Sequence, residues 1–319
     1  MGNLSLANAA LVTSSPQSEG IRQQIEEENP LMDFAQWAVV PQGTNSLRWF
    51  EETSQGTAAF RAVNGSYTAN HAQLRPYSEP LAILGGEISI DVAIPALYGN
   101  DLPGGIFDYQ AMAKARAAYR KWQETVFEGD VGVDPNSFDG FRVRATERGM
   151  EFDATGSGTD RAELTLAMLD ELLDAVVGSK VIHANQFLRR KVNALMRAAG
   201  QAREMVGGEF GRQFESYAGA PIVIDERRND MSTILGFTED PGDGGDDAAS
   251  IYVAHWGSTD EDQAVVAMVG ASGGWDVVPL NGPAGTQDAP LTKGRLEVYV
   301  GLATIGNRPL ARLKGVGQI

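Results

Sequence analysis

The sequence contains no cysteine and only three histidines among its 319 residues. The absence of cysteine excludes disulfide bonds, thiolate metal sites and cysteine nucleophiles. Basic residues are also few, because 26 Lys and Arg stand against 42 Asp and Glu, for a formal net charge of −16. Binding nucleic acid by neutralising phosphates requires Lys and Arg that displace counterions. We therefore expect no such binding and, with so few histidines, no zinc site.

Long hydrophobic runs are missing as well. No apolar run approaches the roughly 18 residues of a membrane span. The first basic residue is Arg22, so the charged start of a secretory signal is also missing. Hydrophobic residues nevertheless make up 43% of the chain, which is ordinary for a globular protein. The length fits about two domains and no membrane partner is expected.

The first 80 residues predict an arm followed by a projecting hairpin. Residues 1–45 hold too little apolar surface to fold alone, with a short helix expected over 19–28 and three prolines that interrupt longer ones. From Leu47 to Leu74 the pattern becomes extended. A turn signal at Ser54-Gln55-Gly56 and a returning strand at 58–63 predict a long β-hairpin with no core of its own.

Three amphipathic helices and several strands are predicted after the hairpin. The helices span residues 108–127, 161–177 and 185–199. An Asp variant of the capping box, Asp160 with Glu163, is expected to start the second helix, and Asn185 is expected to cap the third. Strands are predicted at residues 81–84, 87–94, 221–224, 251–254, 264–269 and 295–302. Gly85-Gly86 between the first two strands suggests a bulge or a kink.

Two features of the sequence are candidates for a chemical site. Gly270-Ala271-Ser272-Gly273-Gly274 matches the nucleophile elbow of serine hydrolases, but that motif needs a following helix and a downstream histidine. A strand-like segment follows here, and all the histidines (His71, His183 and His255) precede Ser272, so a turn is the favoured interpretation. The acidic loop 239–247 is expected to be solvated, with a weakly held cation as the alternative. No cofactor and no enzymatic activity are predicted.

The order of features resembles the major capsid proteins of tailed double-stranded-DNA bacteriophages, which have the Hong Kong 97-type fold. The likeness is carried by short stretches in matching order over nearly the whole chain. They are Asn29-Pro30, Phe60-Arg61-Ala62-Val63-Asn64, residues 79–86, residues 164–176, Phe210-Gly211-Arg212, residues 217–222, Val298-Tyr299-Val300-Gly301-Leu302-Ala303 and residues 308–315.

The resemblance implies an α+β fold and a domain map. Residues 1–45 would form an N-terminal arm and 46–80 an extended loop, the β-hairpin that lies over a neighbouring subunit. Residues 81–158 with 288–302 would form a peripheral domain containing the long spine helix. Residues 159–287 with 303–319 would form an axial domain around hexamer and pentamer centres.

The implied function is self-assembly as hexamers and pentamers into an icosahedral phage head that encloses DNA without reading its sequence. The implied partners are other copies of the chain, a portal, a separate scaffolding protein and possible decoration proteins, in a virion assembled in the bacterial cytoplasm. The predicted intersubunit contacts are Trp49, Phe50, Phe60 and Arg61 in the hairpin. An encapsulin-like compartment shell remains the alternative, and a serine hydrolase on Ser272 a remote one.

The sequence departs from the family pattern in two respects. Some relatives carry a long scaffolding extension before the arm, which is not expected here because the arm begins almost at Met1. Some relatives crosslink their subunits through a lysine in the extended loop. No lysine precedes Lys114 in this chain, so that crosslink is not expected.

Overall fold

A computed structural model describes residues 30–91, 93–94, 105–155, 161–201, 204–207, 213–224, 227–241, 244–245, 247–271, 277–279 and 291–318. The described helices are α1 (Gly105–Glu128), α2 (Phe141–Glu147), α3 (Leu166–Ala175) and α4 (Gln186–Ala198). The strands are β1 (Trp37–Val40), β2 (Ser46–Ser54), β3 (Gln73–Pro80), β4 (Ala82–Asp91), β5 (Glu151–Asp153), β6 (Val181–Ala184), β7 (Glu204–Gly207), β8 (Gln213–Tyr217), β9 (Ala220–Ile224), β10 (Ala248–Ala254), β11 (Ala264–Gly270), β12 (Val277–Pro279), β13 (Leu291–Ile305) and β14 (Leu310–Gly317). The chain is therefore α+β, as predicted.

The first sheet is built around the long strand β13, which pairs with β4, β11 and β12, while β1 adds parallel to β11. The helix α1 packs on this sheet, because Ala115, Tyr119, Trp122 and Val126 recur on one face and are all buried. Trp122 stacks on Trp37 of β1 with ring centroids 4.9 Å apart. The long helix predicted at 108–127 is thereby confirmed.

The second sheet has the strand order β5-β14-β10-β6-β9-β8-β7. Its adjacent interior strands β10 and β14 are almost wholly buried. The helices α3 and α4 contribute Leu169, Leu172, Leu188 and Val192 to the cluster of buried side chains beside it. These helices therefore form a second core with Ile251 and Val253 of β10, while Tyr252 and Ala254 of the same strand belong to the core that α1 covers.

The start of α3 differs from the prediction. The helix begins at Leu166, and the hydroxyl of Thr165 caps it by accepting from the Met168 amide. The amide of Ala162 instead donates to the Gly315 carbonyl, at 2.9 Å, beside β14. Pairing with a strand 153 residues away in sequence overrides the local capping signal. Asp160, the first residue of the predicted capping box, lies outside the described residues. Asn185, by contrast, caps α4 as predicted, accepting from the Leu188 amide at 2.8 Å.

The glycine pair in β4 does not form the predicted bulge. β4 runs without interruption from Ala82 to Asp91 and pairs in continuous register with β13. A Cβ at Gly85 would lie 2.2 Å from the Leu296 carbonyl oxygen. Glycine is needed here because the neighbouring backbone approaches too closely for a side chain.

The described residues cross two of the predicted domain limits. Residues 30–40, assigned to the arm, place Leu31 and Trp37 in the core of the first sheet. The strand β11, assigned to the axial domain, pairs with β13 in the same sheet. The domain map itself remains a prediction. Among the described helices, none is both long and apolar enough to cross a membrane.

Candidate functional site: a projecting hairpin and its anchor

The strands β2 and β3 form a two-stranded sheet that pairs with neither of the other two sheets. Their register runs from Ser46 opposite Pro80 to Ser54 opposite Gln73. The return strand is therefore 73–80, and the predicted strand at 58–63 is wrong: residues 55–72 form an irregular tip. A left-handed backbone at Asn64 (φ 67°) marks a turn within that tip.

Large apolar side chains are exposed along this hairpin. Phe50 is 70% exposed and Phe60 is 108% exposed, while Val63, Tyr67 and Leu74 are exposed by 90%, 66% and 67%. Scattered single apolar residues on a surface are normal, but five on one projecting element are typical of an interaction surface. The predicted burial of Phe50 and Phe60 against a neighbouring subunit remains a prediction.

Trp49 is different, because it packs on its own chain. Its side chain is half-buried against the cluster that contains Val40 and Met268. It stacks on Tyr77 of β3 at 6.0 Å, and its indole Nε1 donates to Glu51 at 2.8 Å. The expectation that Trp49 lacks an intrachain core is therefore wrong. Strand alternation explains the split, since Trp49 and Phe50 point to opposite faces.

Arg61 is engaged within the hairpin tip. Its guanidinium donates to the carbonyls of Ala62, at 3.3 Å, and Gly65, at 3.4 Å, and lies 5.4 Å from the ring centre of Tyr67. These contacts are all local and exposed. They give the tip some order without connecting it to the rest of the subunit, and a contact of Arg61 with a neighbour remains a prediction.

A buried arginine joins the second strand of the hairpin to the body of the subunit. Arg144 of α2 is 5% exposed, and its Nη1 lies 2.8 Å from Glu79 of β3. Its Nη2 and Nε donate to the carbonyls of Leu302 and Asp139 at 2.8 and 2.7 Å. One guanidinium thus fixes β3, β13 and the start of α2 to each other.

A second arginine holds the first strand of the hairpin. Arg148, which follows α2, lies 3.3 Å from Glu51 of β2 and donates to the carbonyls of Thr304 and Gly306. The same Glu51 oxygen accepts from the Gly306 amide at 3.0 Å and from Trp49. We call these two groups, Arg144 with Glu79 and Arg148 with Glu51, the hairpin anchor.

Local glycines place α2 for this role. The loop 129–140 folds back on the end of α1, and the Gly140 amide donates to the Gly129 carbonyl at 2.9 Å. A Cβ at Gly140 would lie 2.5 Å from the Thr125 carbonyl oxygen. Only glycine permits this close return, and the turn aims α2 at the base of the hairpin.

Sequence reasoning missed the hairpin anchor. The four-residue spacing of Arg144 and Arg148 does place them on one side of a helical turn. Their partners lie 65 and 97 residues away, and no local pattern marks those glutamates as partners.

The chemical alternatives receive little support. Ser272 lies outside the described residues, so its proposed elbow has no structural account. His71 is exposed on the hairpin, and His183 is buried and accepts from the indole Nε1 of Trp256 at 3.1 Å. None of the three histidines belongs to a candidate metal cluster within the part of the chain that the structure describes.

His255 has acid and hydroxyl neighbours but not the arrangement of a catalytic base. Its Nε2 lies 2.6 Å from Glu261, and its Nδ1 lies 2.8 Å from the carbonyl oxygen of Ser179 and 3.0 Å from the hydroxyl. An Nδ1 that donates to the carbonyl cannot take the hydroxyl proton. Burial opposes ionisation of Glu261, but hydrogen bonds from Ser258 and His255 outweigh it and lower the pKa of that carboxyl.

The first acid of the predicted acidic loop is structural. Glu239 accepts from Arg312 at 2.8 Å and from the Ser250 hydroxyl at 2.6 Å. Arg312 is 8% exposed and also pairs with Glu151 at 2.9 Å. Residues 242, 243 and 246 lie outside the described residues, so the cation alternative stays untested.

Comparisons with known proteins identify the architecture. No family model matches the sequence, and no curated protein matches it. Solved structures do match. One is the SrpI encapsulin complex from Synechococcus elongatus PCC 7942, with 16% sequence identity and a TM-score of 0.62. The match covers 90% of this chain and 87% of the encapsulin chain. The capsid of a native GTA particle has 16% identity and a TM-score of 0.56, with 90% of each chain covered.

A third match is to Mycobacterium phage Adephagia, with 14% identity, a TM-score of 0.53, and 89% of this chain and 88% of that chain covered. At sequence identities this low, the matches establish the fold and do not establish the activity. The agreement nevertheless extends over about nine-tenths of the chain in each case. This chain has the Hong Kong 97-type capsid fold that its sequence resemblance implied.

Proposed function

We propose that this protein forms a closed shell by self-assembly, as the major capsid protein of a tailed double-stranded-DNA phage. The observation that carries the proposal is the fold itself, shared over about 90% of the chain with shell proteins. The proposed role is structural and not enzymatic. Portal, scaffolding and decoration proteins would be its partners in the phage.

The hairpin is the element that we propose clasps a neighbouring subunit. Its apolar side chains, led by Phe50 and Phe60, are exposed in the single chain. Its base is fixed by the hairpin anchor, so that the projecting surface keeps one direction. An exposed aromatic surface on a rigid support is suited to a repeated contact between identical subunits.

The acidic composition is consistent with a shell that encloses DNA. A net charge of −16 makes the wall repel phosphates, on balance, and leaves the enclosed duplex free to move. Specific or strong binding of DNA to the wall is neither needed nor expected.

An encapsulin-like compartment is the second candidate function. The observation in its favour is the TM-score of 0.62 with the SrpI encapsulin, against 0.56 and 0.53 for the GTA and Adephagia capsids. Both candidates share the clasp and the closed shell. They differ in what the shell encloses.

Two measurements test these proposals in order. Electron microscopy and size-exclusion chromatography of the purified full chain should show capsomers or closed particles, and a monomer at all concentrations would overturn the shell proposal. Particles isolated from the cells or lysates that make them should contain nuclease-resistant double-stranded DNA of uniform length. Particles that hold protein and no such DNA would favour the compartment instead.

A further inference from the structure

A groove of about 700 Å³ lies between α1, α4 and the segment after β9. Its lining includes Pro30, Phe187 and Arg190 of α4, Arg227, and Phe237. The rings of Phe187 and Phe237 meet edge to face at 5.5 Å, and both are half-buried. The groove is therefore apolar between its phenylalanines and cationic at its rim.

Two of the rim arginines lack an acidic partner. Arg190 lies over the Phe187 ring at 5.8 Å, and both Arg190 and Arg227 are exposed. Neither guanidinium forms an ion pair with any residue that the structure describes. In a chain of net charge −16, two neighbouring unpaired arginines beside an apolar surface favour an anionic, partly apolar partner.

An acidic segment of the same chain directly precedes Pro30 in the sequence. Pro30 lines the groove, and the residues that precede it are Glu26-Glu27-Glu28-Asn29. Four residues of extended chain reach at most about 14 Å, so these carboxylates are tethered close to the rim. Ile21 and Ile25 stand four residues apart just before them, which places both on one side of the short helix predicted at 19–28.

We propose that this groove binds residues 19–29 of the same chain. The carboxylates of Glu26–Glu28 would pair with Arg190 and Arg227, and Ile21 and Ile25 would cover Phe187 and Phe237. Tethering favours the same chain over a second copy, because a short linker gives an effective concentration on the order of millimolar. The contact sets the direction in which the arm leaves the subunit and does not depend on the proposed shell.

Proteolysis gives the first test, because Arg22 is the only basic residue before Arg48. We expect the bond after Arg22 to be protected from trypsin in the dilute full chain, as judged by mass spectrometry of the products. Reversing the rim charges with Arg190→Glu and Arg227→Glu should speed this cleavage at least tenfold. Combining that variant with Glu26→Lys, Glu27→Lys and Glu28→Lys should restore the protection, with an arginine-specific protease in place of trypsin for all three proteins so that the new lysines add no cleavage site.

The same digestion contains its own control. Arg61 is exposed in the hairpin tip and outside the groove, so cleavage after it should keep one rate in all variants. Because Arg190 and Arg227 are exposed, their replacement should leave the subunit folded, as judged by a cooperative thermal transition in circular dichroism. Equal cleavage after Arg22 in the wild-type chain and the reversed variant would overturn the proposal.

The absence of cysteine allows a second test that identifies the occupant. Glu27→Cys paired with Arg190→Cys, or with Arg227→Cys, should form a disulfide within one chain, which runs as a monomer without reductant and is located by peptide mapping. Glu27→Cys with Val133→Cys, exposed by 81% outside the groove, is the control. Disulfides between chains would assign the groove to a second copy, and no yield above the control would also overturn the proposal.

Discussion

The exposed and half-buried aromatics of the hairpin allow a sharp test of the clasp. Phe50 and Phe60 are 70% and 108% exposed, so replacing both with serine removes almost no buried surface from the isolated subunit. Surface substitutions of this kind change the free energy of unfolding by less than about 0.5 kcal/mol. The single subunit should therefore stay folded with an unchanged melting temperature.

The effect on assembly should be much larger. Full burial of a phenylalanine contributes about 1.5–3 kcal/mol, so two of them contribute about 3–6 kcal/mol to each clasp. Since 1.4 kcal/mol is a factor of ten in an equilibrium constant, the lower limit already corresponds to a change of about a hundredfold. The concentration at which particles form should rise by at least that factor, because every subunit repeats the contact.

Trp49→Ser provides the matched contrast. Trp49 stacks on Tyr77 and donates to Glu51 within its own chain. Losing this packing should lower the free energy of unfolding of the subunit by about 1–3 kcal/mol. Val133→Ser, at an exposed position outside the hairpin, serves as the neutral control for both measurements.

Light scattering against concentration measures assembly, and thermal unfolding of dilute subunits by circular dichroism measures stability. If the hairpin is the clasp, the double phenylalanine variant should assemble poorly in the first assay and keep the wild-type melting temperature in the second. Assembly at the wild-type concentration would refute the clasp. A lowered melting temperature of the double variant would show that these side chains pack on their own chain.

Four further outcomes test the structure at separate points. Arg144→Met should lower the free energy of unfolding by about 3 kcal/mol in chemical denaturation, because the substitution leaves Glu79 unpaired at the base of the hairpin. A loss under about 0.5 kcal/mol would contradict the hairpin anchor. Gly85→Ala should cost about 1–3 kcal/mol, since the new methyl meets backbone, whereas Gly86→Ala meets only the flexible end of Lys114 and should be tolerated. Burial opposes ionisation of Glu151, but hydrogen bonds from Lys314 and Thr146 and the charge of Arg312 outweigh burial and lower the pKa of this carboxyl. The ionised carboxylate therefore stabilises the fold at neutral pH, and this contribution is lost as the pH falls through the lowered pKa. Glu151→Gln should accordingly reduce the dependence of the melting temperature on acid pH. Mature particles boiled in detergent should return a single 34.1 kDa band, because no lysine precedes Lys114; persistent bands of higher mass would contradict this.

Elements whose signal is local were predictable from the sequence. The helix α1 follows from its apolar spacing, the start of α4 follows from Asn185, and the buried strands β10 and β11 follow from short apolar runs between turn signals. In each of these elements, burial and local propensity indicate the same structure. Tertiary contacts therefore did not change the structure that the local sequence predicts for these elements.

Elements that depend on a distant partner were not predictable. The helix α3 starts late because Ala162 pairs beside β14, and Gly85-Gly86 stays within one continuous strand because β13 requires a close approach there. The apolar residues 58–63 predict the returning hairpin strand, but the observed strand β3 is largely polar and exposed. Its pairing with β2 decides its position, and no periodicity within β3 shows that partner.

The hairpin anchor explains how an apolar surface can project without collapsing onto its own subunit. An apolar base would hold the hairpin by contacts without direction, and the exposed aromatics could pack against the body in several ways. Arg144 and Arg148 instead bind one glutamate on each strand, together with carbonyls of β13 and the turn after it. Guanidinium hydrogen bonds have fixed directions, so they set the angle of the hairpin while Phe50 and Phe60 stay exposed.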